Sequence, residues 1–295
     1  MTVYNGSRYL VESIKSVLNQ TLKNFEFLII DDNSKDNSVE IIKSFNDQRI
    51  NLVLNEINIG QTRSLNKGIE LSKGDYISRL DQDDLFEGEK LEKQMNFFKD
   101  NPQIVLLGTS GKLIDNHGIT LGKFYTKTNH KDIIRYILID NPFAHSSVVF
   151  KKNIVHSIFC YDQSLHFSQD FDLWVRLASE GYIMANLPGN FVSIRIHENQ
   201  TSKIKKFQID KINEELFVIE KIFSLPDLSN YFIILLKIKV LLIKKIRKGI
   251  QYNNILAVFL FKKLVFFFNI IIGPKKIIIQ KLEYRIKKYF RYGIN

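Results

Sequence analysis

The chain of 295 residues contains one cysteine, Cys160, five prolines and one tryptophan. A lone thiol closes no intramolecular disulfide, and the start of the sequence lacks a basic-then-apolar leader, so the expectation is a cytoplasmic protein rather than a stapled secreted one. No G-x-G-x-x-G and no G-x-x-x-x-G-K-[ST] occurs, which disfavours a dinucleotide cofactor and a P-loop. His145 and His197 stand without a second His or Cys at metal-binding spacing. Ser146 and Ser147 lack the turn context of a hydrolase nucleophile. The longest charge-free run after residue 203 covers 249–261, short of the ~20 residues a spanning helix needs. There is no internal repeat and no Pro/Gly/Ser-rich linker.

Charge is present in quantity and unevenly placed. Residues 203–295 carry 17 Lys and 3 Arg against 6 acids, whereas residues 1–202 are close to neutral. A uniformly basic nucleic-acid surface does not fit that split, and no nucleic-acid partner is expected. The front alternates helix and strand signals. Leu10, Ile14, Val17 and Leu18 share one helical face, with Asn5 or Ser7 as its cap. Phe25-Glu26-Phe27-Leu28-Ile29-Ile30 reads as a strand covered on both faces. A helix from Ser34 or Asp36 follows, burying Val39, Ile42 and Phe45, then a strand at 50–54. A helix at 62–72 turns Leu65 and Ile69 inward, a strand follows at 75–80, and a helix marked by Leu91, Met95 and Phe98 precedes a strand at 104–107. Later signals are strands at 147–150 and 191–196 and a helix at 171–179. This rhythm predicts an open α/β sheet, in which ligands gather outside the carboxyl ends of the strands.

Acidic clusters sit at those ends. Leu80-Asp81-Gln82-Asp83-Asp84 puts three carboxylates in four positions, which would repel one another unless a cation neutralises them. Mg2+ is typically held by one or two carboxylates plus substrate phosphates; the plainer reading is a helix cap at Asp84 and a solvated turn. Asp31-Asp32 could accept hydrogen bonds from a ribose or a base, or could close an Asx turn. In Gln169-Asp170-Phe171-Asp172, Asp172 reads as a helix cap, and Asp170 is either a general base or a second solvated carboxylate. Cys160 reads as a small buried hydrophobe.

Taken together, these segments resemble the family 2 glycosyltransferases. The matching stretches are Val3-Tyr4-Asn5-Gly6, residues 16–21, 25–34, Asn58-Ile59-Gly60 with Asn66-Lys67-Gly68-Ile69, 74–84, His145-Ser146-Ser147-Val148, 170–177 and 195–199. The resemblance implies an α/β, GT-A fold with a Rossmann-like, mostly parallel open sheet over residues 1–202, and an inverting enzyme using a nucleotide-diphosphate sugar such as a UDP-sugar. It implies contacts to the nucleoside from Thr2, Tyr4 and Asp32, and to the ribose or donor sugar from Asp81. Asp83 and His197 would face Mg2+ or Mn2+, Arg63 would touch the donor, and Asp170 would deprotonate the acceptor hydroxyl. Relatives carry several apolar residues before Val-Tyr-Asn, so a truncated first strand, with a slot in the sheet, is expected here. Gln169 replaces the Glu that many relatives have before the catalytic Asp.

Residues 203–295 form the second expected unit, a basic helical tail. Residues 232–248 and 255–288 mix apolar runs with paired lysines, as in helices that lie at an anionic membrane surface. The acceptor expected from this context is a glycan or lipid-linked glycan in surface-polysaccharide assembly, at the inner face of the cell membrane. Two alternatives stay open: a glycosyltransferase that charges a polyprenyl phosphate directly, and a catalytically silent membrane-associated scaffold.

Overall fold

The computed structural model describes residues 1–198, 200, 208–225 and 230–251. In the front of the chain, β1 (Thr2–Val3), α1 (Ser7–Leu18), β2 (Phe27–Asp31), α2 (Ser38–Lys43), β3 (Ile50–Leu54) and α3 (Gln61–Leu71) follow the alternating pattern. The strands form a three-stranded parallel sheet in the order β1-β2-β3. α1 buries Leu10, Ile14 and Val17, the face their spacing predicts. Its cap is neither Asn5 nor Ser7 but Gly6, where a Cβ would lie 2.4 Å from Gln82 Oε1. α2 begins later than Ser34 or Asp36. Asp36 stays outside the helix and accepts from Ser38 N and Ser7 N, each at 3.0 Å, tying the starts of α2 and α1 together.

The rest of the front builds a second sheet. Its elements are β4 (Tyr76–Ser78), β5 (Leu85–Phe86), α4 (Lys90–Asp100), β6 (Ile104–Ile114), β7 (Thr120–Phe124), α5 (His130–Ile137), a 3-10 turn (His145–Ser147), β8 (Val149–Lys151), α6 (Lys152–Ser157), α7 (Gln169–Ser179) and β9 (Ile183–Arg195). The strand order is β4-β8-β6-β9-β5, with β7 beside β6. β6 and β9 pair in parallel, and the remaining pairs are antiparallel. β6 and β9 extend well beyond the short runs at 104–107 and 191–196. Their interiors carry glycine and polar residues where backbone and side chains crowd: a Cβ on Gly111 would lie 2.3 Å from Val192 O, and one on Gly108 would lie 2.2 Å from Asn186 Oδ1. That close approach breaks the apolar alternation on which strand length is read.

α8 (Gln208–Ile222) and α9 (Asn230–Gln251) complete the described chain. They do not stand apart from the α/β unit. Leu216, Ile219, Ile222, Leu236 and Ile243 share one buried cluster with Leu173 and Trp174 of α7 and Ile133 of α5. The second half of the expected tail, including the lysine-rich stretch 255–288, lies outside the described residues. No described helix is long and apolar enough to cross a membrane.

Candidate active site

The carboxyl ends of β1, β2 and β4 converge. Tyr4 N donates to Gln82 Oε1 at 2.9 Å and Tyr4 O accepts from Gln82 Nε2 at 3.2 Å, so the segment after β4 lies directly against the end of β1. Thr2 is buried within β1, whereas Tyr4 is 47% exposed at the rim. Asp32, buried, is already fully engaged. Its Oδ1 accepts from Asn55 Nδ2 at 2.8 Å and Ile59 N at 2.9 Å, and its Oδ2 from Gly60 N at 2.8 Å. It thereby folds the Asn58-Ile59-Gly60 turn onto the start of α3. Asp31 Oδ1 accepts from Ser34 N at 3.0 Å, while Asp31 Oδ2 is buried without a hydrogen-bond partner among the described residues. An unsatisfied buried carboxylate oxygen is a natural acceptor for a ligand N–H or O–H. Arg63 is exposed on α3.

The acidic turn after β4 is organised by residues from other elements. Asp81 pairs with the buried Arg79 guanidinium and accepts from Gln61 Nε2 at 3.2 Å. Its burial opposes ionisation, but Arg79, a favourable interaction with His145 and hydrogen bonds from Ser146 and Arg79 outweigh that cost and hold its pKa below the ordinary value. Asp84 faces inward. Burial and the neighbouring charges of Asp83 and Asp81 push its pKa well up, and it accepts from Ser146 Oγ at 2.5 Å and Arg195 N at 2.8 Å. His145 shares a 2.9 Å hydrogen bond with Tyr161 Oη, and burial with the Arg79 charge pushes its pKa down to about 3. It is a neutral support beneath Asp81.

Asp83 points the other way, toward His197, with Oδ2 and Nε2 2.8 Å apart and side chains 20% and 12% exposed. Tyr9 packs beside the His197 ring at 5.1 Å, and Arg195, itself fully buried, donates from Nε to Asp83 O at 3.0 Å. One carboxylate oxygen and one imidazole nitrogen form a donor set that suits Mn2+ or Mg2+. Among the described residues no group of three or more His, Cys, Asp or Glu could hold a metal. Two protein donors would leave the remaining coordination positions to phosphate oxygens and water, the usual arrangement for a cation that binds with its substrate.

Asp170 is the second residue of α7, whose N-cap is Ser168. Its Oδ1 accepts from Phe171 N and its Oδ2 from Asn141 Nδ2, each at 2.8 Å. Burial outweighs these bonds and raises its pKa to about 6, with the Asp81 charge adding to the rise. Asp172 is not the cap. It is fully buried and paired with Arg176 Nε at 2.8 Å and Lys221 Nζ at 2.5 Å, so it bolts α8 to α7. Glu214 of α8 accepts from His166 N, Phe167 N and Ser168 N at 2.8, 2.8 and 2.9 Å, fixing the chain just before Asp170.

A sequence model of the family described as Glycosyl transferase family 2 matches residues 1–159. The chain belongs to this family. Among curated relatives it is 36% identical over 213 residues to an uncharacterised glycosyltransferase of Methanocaldococcus jannaschii, covering 70% of this chain and 73% of that one. It is 29% identical over 221 residues to the amylovoran biosynthesis glycosyltransferase AmsE of Erwinia amylovora, covering 74% and 82%. Among solved structures, S. aureus TarS 1–349 in complex with UDP-GlcNAc superposes with a TM-score of 0.64 at 16% identity, covering 99% of this chain and 90% of that one. The mannosyltransferase PcManGT from Pyrobaculum calidifontis, in complex with GDP-Man and Mn2+, gives 0.60 at 12%, covering 99% and 79%. The fold is that of the GT-A glycosyltransferases.

In this glycosyltransferase the turn carrying Asp81 and Asp83 is tied to Tyr4 through Gln82 and to His197 through Asp83, while Asp170 is held at the start of α7 by Asn141. Asp32 supports the rim from below, and Arg63 remains on the outer side of α3. Sequence reasoning missed Arg79, which pairs with Asp81 two positions on, and Asn141 and Glu214, which act through partners far away in the chain. It also missed the open oxygen of Asp31. Arg79 carried a faint signal, a charged residue at the end of an apolar strand; Asn141 and Glu214 carried none.

Proposed function

We propose that the enzyme transfers a sugar, with inversion, from a UDP-sugar to a glycan or lipid-linked glycan acceptor in surface-polysaccharide assembly. The observation that carries this reading is the Asp170 carboxylate, set at a helix start by Asn141 and raised to about 6 by burial. A group with that pKa is ionised at neutral pH yet basic enough to take a proton from a sugar hydroxyl in the transition state, which typically contributes ~10²–10⁴-fold. As the hydroxyl loses its proton to Asp170, its oxygen bonds to the anomeric carbon and the bond from that carbon to the diphosphate breaks. One displacement inverts the centre.

On the donor side, the open oxygen of Asp31 and the rim residue Tyr4 would face the nucleoside, with the buried Thr2 and the hydrogen-bonded Asp32 positioning them from behind. Asp81 would face the ribose or sugar, with Arg63 as an outer contact. Asp83 and His197 would hold Mg2+ or Mn2+, which when bound would neutralise charge on the leaving diphosphate. The solvent side of α9 supports peripheral contact with the inner face of the cell membrane. Ile234, Ile238 and Leu241 are exposed there beside Lys237, Lys244 and Lys248.

The test is to incubate the enzyme with Mn2+, a set of UDP-sugars and lipid-linked glycan acceptors. Nucleotide release should depend on acceptor, and the product's anomeric configuration, read by NMR, should be opposite to the donor's. Retention of configuration would refute the direct displacement.

A further inference from the structure

α9 buries a charge in the middle of its core-facing stripe. Leu236, Lys239, Ile243 and Ile246 recur at the spacing of one helical face and are all buried, Lys239 at 2% exposure. The other three side chains are aliphatic, and an aliphatic residue in the place of Lys239 would pack without the desolvation cost of an ammonium. Lysine is rarely found at that depth unless its amine has a partner. Here Nζ donates to Ile139 O at 2.6 Å, across 100 positions of chain. Glu215 of α8 interacts with the same charge and with Asp140: burial raises its pKa, the Lys239 ammonium opposes that rise and Asp140 adds to it.

Ile139 belongs to the segment that leads from α5 to the 3-10 turn. Its start is closed onto the helix, with Ile139 N and Asp140 N both donating to Tyr136 O, at 2.8 and 2.9 Å. Asn141 follows two residues after Ile139. Its Nδ2 donates to Asp170 Oδ2 at 2.8 Å, its Oδ1 accepts from Phe143 N at 3.1 Å, and its backbone N donates to Asp140 Oδ1 at 2.9 Å. The amide that steadies the carboxylate thus projects from a connecting segment, the kind of backbone that moves most unless it is tied down. α5 ties one end of it. Lys239 ties the peptide between Ile139 and Asp140, immediately before Asn141.

We propose that Lys239 is a positioning residue for Asp170: from α9 it pins the Ile139 carbonyl and thereby sets where Asn141 meets the carboxylate. The route runs from Lys239 through Ile139 and Asn141 to Asp170. It is separate from the contacts of Lys221 and Glu214, which act on α7 and on the residues just before it. It rests on the reading of Asp170 as the base only for its effect on turnover.

The experiment follows the Asp170 carboxyl by carbon NMR, and kcat against pH, in the full chain, Lys239→Met, Asn141→Ala and the double variant. Methionine removes the donor, nearly matches lysine in length and keeps the buried face apolar. The groups that set the Asp170 titration are its own burial, the hydrogen bonds from Phe171 and Asn141, and the Asp81 charge. Loss of the tether weakens the Asn141 bond, which favours the ionised form, so Lys239→Met should raise the midpoint by about half a unit or more. The double variant should show the shift of Asn141→Ala with nothing added. An unmoved midpoint in Lys239→Met would overturn the proposal, and so would shifts that add in full, the mark of a charge acting through space. The acid limb of kcat should move in the same order while KM for the donor stays within about twofold. A carboxyl that shifts without kcat following would uphold the positioning by Lys239 and remove Asp170 as the base. Should Lys239→Met lack a cooperative melt, the unmodified protein decides: the Lys239 ammonium nitrogen should show a step at the Asp170 midpoint that Asp170→Asn abolishes. An identical titration in that variant would overturn the proposal.

Discussion

Replacing Asp170 with asparagine should disable the enzyme while making it more stable at neutral pH and less stable in acid. The wild-type carboxyl ionises at about 6 in the fold, against about 3.9 in an unfolded chain. The folded protein holds this proton more tightly than the unfolded chain, so stability falls as pH rises between those values. The cost is absent below about pH 4 and complete above about pH 6, where two pKa units correspond to roughly 3 kcal/mol as an upper figure. The amide carries no charge and removes this cost. It introduces another, because Phe171 N–H and Asn141 Nδ2 both need an acceptor and the new side chain has one oxygen. Asn141 cannot turn its own oxygen inward without abandoning Phe143 N, which donates to it at 3.1 Å. A donor left facing a donor costs about 1–2 kcal/mol at any pH.

The net expectation is a gain of about 1–2 kcal/mol at pH 8 and a loss of similar size at pH 4. At ~2–4 °C per kcal/mol for a chain of this class, the melting curves of variant and wild type should cross between those pH values. Turnover should fall by ~10²–10⁴-fold, with donor affinity nearly unchanged. Thermal unfolding from pH 4 to 8, beside nucleotide release at pH 7.5, measures both. A stability difference that keeps one sign at every pH would show that burial does not raise this carboxyl. Turnover within a few-fold of wild type would remove Asp170 as the base.

Asp83→Ala should abolish the gain in UDP affinity that Mn2+ confers and leave metal-free binding in place, as calorimetry with and without the ion would show. Asn141→Ala removes a hydrogen bond that favours the ionised Asp170, so the acid limb of kcat should move up by about one pH unit, with turnover recovering near pH 8.5. Equal loss at all pH values would argue against this positioning role. Reversing Lys237 and Lys248 to Glu should weaken sedimentation with anionic vesicles by about thirtyfold or more, at ~1 kcal/mol per cation, without changing the melting temperature.

Much of this architecture is legible in the chain because local periodicity and tertiary burial agree. The faces of α1 and α3 follow from Leu10, Ile14, Leu65 and Ile69, and the carboxylates of Asp31-Asp32 and of residues 81–84 fall at strand ends where a ligand would gather. Legibility stops where a side chain's partner is remote. Asp172 carries the spacing of a cap, but Lys221, far along the chain, turns it into half of a buried ion pair. Asn141 precedes its partner Asp170 by 29 positions, and no helical or strand period links them. His197 meets Asp83 across 114 positions; family resemblance anticipated that meeting, and spacing alone could not.

The same remoteness decides what the region after residue 202 is for. Its composition suggests a detachable basic tail whose removal frees the protein from membranes. In the structure, α8 and α9 supply Leu216, Ile219, Ile222, Leu236 and Ile243 to the core around Trp174, and Glu214 and Lys221 fasten both ends of the turn that presents Asp170. At ~2 kcal/mol for each buried aliphatic side chain, the five together approach the whole stability of an ordinary domain. Truncation after residue 202 should therefore give an aggregated or molten product, detected by loss of a cooperative melt. The reversals at Lys237 and Lys248 should leave folding and transfer intact while releasing the protein from vesicles. A truncated chain that melts like the full one would refute this account and return α8 and α9 to the status of an appendage. If it holds, whatever α9 docks against is mechanically continuous with the helix that carries Asp170, through Lys221, Asp172 and the Glu214 clasp.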